Sequence, residues 1–134
     1  MGRNPREAGA AALMAITPAA MLLVAIGGAI GSVLRYVVSV LALAWFGAGF
    51  PWGTLAVNII GSAAIGAAAA TPLEGQLRML FVSGFLGGFT TFSAFSLEAG
   101  FLFQRSPLLA ALYVVASVGL GISAFAFVWM LFRR

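Results

Sequence analysis

The groups in this chain able to do chemistry cluster in one stretch, Gly84 to Ser96, which reads GFLGGFTTFSAFS. Four hydroxyl residues (Thr90, Thr91, Ser93, Ser96) and three glycines (Gly84, Gly87, Gly88) share thirteen positions inside an apolar run bounded by Arg78 and Arg105. A segment at membrane depth must satisfy its backbone internally, and non-helical backbone survives there only under the cover of protein or a water-filled cavity. Gly87-Gly88 weakens the helix by roughly 1 kcal/mol per glycine; the alternative is that Gly84, Gly87 and Gly88 serve only close packing. Thr90 or Thr91 then suits the N-cap of a second half-helix. The chemistry this predicts is ion coordination: two half-helices meeting near the midplane, with free carbonyls on one side and free N–H groups on the other.

Catalysis lacks material. Among 134 residues there is neither histidine nor cysteine, which excludes thiol chemistry, disulfides, a histidine base and a Cys or His zinc site. The only carboxylates, Glu7, Glu74 and Glu98, are too scattered for paired acid–base work. With 63% hydrophobic and 7% charged residues, the chain lies far from the globular norm of about 25% charged and reads as an integral membrane protein. All seven basic residues are arginines that flank apolar runs, not the basic face that nucleic-acid binding requires.

The elements that must position these groups are four apolar spans in one membrane domain covering 1–134, at about 18–46, 54–70, 77–104 and 108–132, after an extension at 1–17. That extension has a weak signal-peptide character, and Met14 and Met21 offer later starts of translation. In the first span Gly27, Gly31 and Arg35 fall on one face, which leads Arg35 toward the interior or an aqueous vestibule; the alternative is a snorkelling anchor. In the second, Thr54, Asn58, Ser62 and Gly66 repeat every four residues. An unpaired amide in hydrocarbon costs several kcal/mol, so Asn58 must meet either a neighbouring helix or a passing ligand. Phe92 and Phe95 share a face after the break. Tyr113, Ser117 and Gly121 form a further polar-to-small stripe in the fourth span.

Three segments, GGAIGSVLRY (27–36), GTLAVNIIGS (53–62) and GFLGGFTTFSAFS (84–96), closely resemble the CrcB/Fluc family of fluoride channels in order and spacing. The resemblance implies an all-α membrane protein of four transmembrane helices, the third broken near the midplane, paired as an antiparallel dual-topology homodimer in the bacterial inner membrane. It implies passive fluoride export, fluoride resistance, and a central structural sodium ion. Carried over by position, the main-chain carbonyls of Gly87 and Thr90 would hold sodium, and Phe92, Phe95 and Asn58 would line the fluoride path. Thr91, Ser93, Tyr113 and Ser117 would supply hydroxyls along it, with Arg35 in a vestibule. The family often has a hydroxyl where this chain has Ala94, and Gly121 stands where another polar group is expected.

Fluoride is strongly hydrated, so a dry path must replace water with donors, which Asn58, the hydroxyls and Arg35 supply. The positive edge of a phenylalanine ring faces an anion without trapping it. A competing reading is a small dual-topology multidrug exporter, which needs an embedded carboxylate, usually in its first span. That span holds Arg35 instead, and the only embedded acid is Glu98 in the third. With alternating spans, Arg3, Arg6, Arg78, Arg133 and Arg134 share one side, opposite Arg105 and Arg35. The positive-inside rule then favours cytoplasmic termini, whereas dual topology needs near balance, as a start at Met14 or Met21 would give.

Overall fold

Three helix starts in this chain follow one local rule. Asn4 accepts the N–H of Arg6 ahead of Pro5, Thr17 that of Ala20 ahead of Pro18, and Ser106 that of Leu109 ahead of Pro107. In each case a polar side chain satisfies an orphan N–H while proline, which has none to lose, occupies the first helical position. The computed structural model describes residues 4–133. Its elements are α1 (Pro5–Met14), α2 (Pro18–Phe46), α3 (Trp52–Ala70), α4 (Gly75–Arg78), a π-helical segment (Met79–Leu86), α5 (Gly87–Phe89), α6 (Phe92–Arg105) and α7 (Pro107–Phe132).

Four helical stretches are long and apolar enough to cross a membrane: Pro18–Phe46, Trp52–Ala70, Gly75–Arg105 and Pro107–Phe132. Their ends lie within two residues of those expected from sequence. Helix α1 lies in the 1–17 segment, for which sequence suggested no element, and none of its residues is buried.

The third stretch changes neighbours along its length. Its first part, the π-helical segment with α5, packs on α2, whereas α6 packs on α7; α3 lies mainly against α7. The first contact is built from glycine. A Cβ on Gly31 would meet the Phe85 carbonyl and stand 2.8 Å from the Phe89 nitrogen, and one on Gly88 would meet the Gly28 carbonyl. The backbones therefore approach too closely for any side chain at those positions.

This corrects the expected role of Gly87-Gly88. Both residues keep helical geometry within α5 (Gly87 φ −62°, ψ −36°), and Gly88 serves close packing, not flexibility. The extended residues are instead Thr90 (φ −83°, ψ 156°) and Thr91 (φ −152°, ψ 122°). β-Branched threonine accepts that geometry readily, and Thr91 caps α6 by accepting the N–H of Ala94 at 3.2 Å.

A small core sits where α3, α6 and α7 meet, made of Leu55, Phe95, Leu102, Ala110 and Tyr113. Elsewhere large apolar side chains such as Ile30, Val33, Phe101 and Ile122 point outward, as a lipid-facing surface requires.

Candidate functional site

Two side chains from neighbouring helices hold the backbone around the interruption. Asn58, on α3, accepts the Thr91 N–H at 2.8 Å and donates from Nδ2 to the Thr91 carbonyl at 3.0 Å. Its carboxamide thus pairs with one residue's backbone as a β-strand would. On the other side, Arg35 Nε donates to the Gly88 carbonyl at 3.0 Å, and Ser32 Oγ approaches the same oxygen at 3.4 Å. A guanidinium at the last turn of a helical segment also offsets the negative end of its dipole.

Both ends of the Thr90–Thr91 step leave carbonyls short of donors. In a continuous helix the Thr91 N–H would bond to the Gly87 carbonyl and the Ala94 N–H to that of Thr90. Here the first goes to Asn58 and the second to the Thr91 hydroxyl. The carbonyls of Gly87 and Thr90 therefore lose these helical donors. The Thr90 hydroxyl donates to the Leu86 carbonyl at 2.9 Å.

An open cleft of about 350 Å³ runs beside this step, and Asn58, Thr90, Thr91, Phe92, Phe95 and Ser117 are among its lining residues. The Phe92 and Phe95 rings stand 5.5 Å apart at 46°. Phe95 is buried, whereas Phe92 is 77% exposed. Ser93 faces the Thr91 hydroxyl at 3.3 Å. Ser117 Oγ is buried without a hydrogen-bond partner among the described residues, and such a group costs free energy unless something visits it.

The two small-polar stripes face each other. A Cβ on Gly121 of α7 would touch Ser62 Oγ of α3 at 3.4 Å, and farther along Thr54 and Tyr113 converge on Glu98 of α6. The Thr54 hydroxyl donates to one carboxylate oxygen and the Tyr113 hydroxyl to the other, each at 2.8 Å. Tyr113 is fully buried, its ring 5.2 Å from Phe95 and 5.4 Å from Phe50. Glu98 borders a second cavity of about 390 Å³ on the side of the α2–α3 connection.

The structure thus brings Asn58, Thr91, Phe92, Phe95 and Ser117 to one cleft, with Gly87 and Thr90 on its wall. Arg35 and Tyr113 lie behind it, on the Gly88 carbonyl and on Glu98. Sequence reasoning left Glu98 without a role and missed its network with Thr54. The available signal was that it is the one acid within a span, a position that demands partners.

The sequence model of the family described as CrcB-like protein, Camphor Resistance (CrcB), matches residues 22–129. The chain is 55% identical over 109 residues to a fluoride-specific ion channel FluC of Rhizobium etli, across 77% of this chain and 87% of that protein. It is 50% identical over 125 residues to a protein of the same name from Erythrobacter litoralis, across 85% and 92%.

Proposed function

The chain belongs to the CrcB-like family, and on that premise we propose that it is a fluoride-specific ion channel, not an enzyme, that lets fluoride leave the cell down its electrochemical gradient. The observation that carries this reading is its 55% identity to relatives bearing that name. At roughly 2.3 kcal/mol per charge per 100 mV, a negative interior drives an anion outward without ATP or proton coupling. The result is fluoride resistance for a bacterial inner membrane that holds the channel.

Along the path, Phe92 and Phe95 offer ring edges and Ser117 offers a hydroxyl with no competing partner. Asn58 spends one N–H on Thr91 and has a second for the ion. The Thr91 and Ser93 hydroxyls stand beside this route, and Arg35 and Tyr113 flank it. These are weak, distributed donors, which bind an anion without retaining it.

The functional unit in this reading is an antiparallel, dual-topology homodimer, its third helices each interrupted near the midplane. Phe92 is 77% exposed in the single chain, an apolar ring left available to a second copy. A central sodium ion fits the Gly87 and Thr90 carbonyls, because both have lost their helical donors to side chains. When bound, that ion supplies fixed positive charge that favours nearby anions.

A small multidrug exporter is not favoured: the named relatives are channels, and both oxygens of Glu98 are already engaged by hydroxyls. Liposomes containing only this protein provide the test. Fluoride efflux that follows an imposed membrane potential, with no proton gradient, is expected. Its absence, or strict coupling to protons, would overturn the channel reading.

A further inference from the structure

Arg105 closes α6 and is exposed, its Nη1 3.5 Å from the Ala48 carbonyl in the α2–α3 connection. It borders the second cavity, whose wall also carries Thr54 and Glu98. Among the residues lining the two cavities, Arg105 is the only cation and Glu98 the only anion. A short chain of side chains links the linings of the two cavities. Phe95 lines the first, packs 5.2 Å from Tyr113, and Tyr113 holds the Glu98 carboxylate that lines the second.

An anion crossing from one cavity to the other must pass a carboxylate. Two hydroxyl donors soften that charge without cancelling it. A guanidinium on the same cavity does what they cannot, because a cleft with low-dielectric walls focuses the field of the charges on it. We propose that the second cavity is one mouth of the fluoride path and that Arg105 is its counter-charge, offsetting Glu98 and raising the local concentration of fluoride. The proposal rests on the channel reading above. The Ala48 bond ties the guanidinium to the rim, so it attracts the ion without occupying the narrow path.

The test is single-channel fluoride conductance in planar bilayers for the wild type, Arg105→Gln and Arg105→Lys. Each is recorded in about 20 mM sodium fluoride, with and without about 0.5 M of an impermeant sodium salt, which shortens the screening length severalfold. One exposed charge on a mouth of this size is expected to change conductance by about two- to threefold at low salt. Arg105→Gln should therefore fall by that factor at low salt and converge with the wild type at high salt, while Arg105→Lys matches the wild type in both. Equal conductance of Arg105→Gln and wild type at low salt would overturn the proposal. So would a deficit that high salt leaves unchanged, since that marks a structural effect. A wild type that carries no fluoride would overturn the channel reading and this inference together; a conducting wild type with an indifferent Arg105→Gln overturns this inference alone.

Discussion

Asn58 and Thr91 are joined by two hydrogen bonds, 2.8 Å to the Thr91 N–H and 3.0 Å to its carbonyl. That pairing takes from Gly87 the donor a helix would have provided. One carboxamide on α3 therefore sets the backbone of the third span and also lines the cleft beside it.

Asn58→Leu should leave both Thr91 groups unpaired, at about 1–3 kcal/mol each. Asn58→Asp should still accept the N–H while placing a second acceptor against the Thr91 carbonyl. Both variants are expected to lower stability in detergent, measured by thermal unfolding, and to abolish fluoride efflux. A fully stable Asn58→Leu would show that the clamp does not hold the backbone.

The two rings of the cleft should separate in their cost. Phe92 is largely exposed and Phe95 is buried against Tyr113. Phe92→Ile is expected to block fluoride efflux with little change in stability, and Phe95→Ile to block it while also destabilising by on the order of 1–3 kcal/mol. Efflux at the wild-type rate in both would remove the rings from the path.

Ser117 makes an unusual prediction, because its buried hydroxyl bonds to nothing among the described residues. Removing an unsatisfied group should leave stability unchanged or raise it by about 1 kcal/mol. Ser117→Ala is therefore expected to unfold no earlier than the wild type yet to pass fluoride more slowly. Loss of stability with normal flux would reverse that assignment.

Glycines in the first motif should not be equivalent. A Cβ on Gly31 would run into the backbone at Phe85 and Phe89, whereas one on Gly28 comes no nearer than 3.8 Å to Gly84. Gly31→Ala is expected to fail to fold or to lose the α2 contact. Gly28→Ala should be neutral, or gain up to about 1 kcal/mol from helix propensity. Comparable yields of folded protein from both would show that the two backbones can move apart.

Dual topology is tested by reporters fused to the C-terminus. Signal from both sides of the membrane is expected, despite the bias of Arg3, Arg6, Arg78, Arg133 and Arg134 against Arg105 and Arg35. Signal from one side only would exclude the antiparallel pair.

Four apolar runs, the threonine cap inside the third, and the cluster of threonine, serine and phenylalanine were all legible in the sequence. Each depends on length, local capping or composition, which act within a few residues. Legible too were the stripes containing Asn58 and Tyr113, since helical spacing alone places their members on one face. The fold decided what those faces meet. It turned Asn58 onto Thr91, drew Arg35 to the Gly88 carbonyl, and converged Thr54 and Tyr113 on Glu98. It also kept Gly87 and Gly88 helical, so that the interruption falls on Thr90–Thr91, where the sequence offered the cap. Helix propensity marks where a chain bends easily, but Gly88 packs its backbone on Gly28 of α2 within a helical turn, and the Asn58 carboxamide rewards extension three residues later. Those partners lie 33 and more positions away in the chain, and no local pattern encodes a bond across that distance.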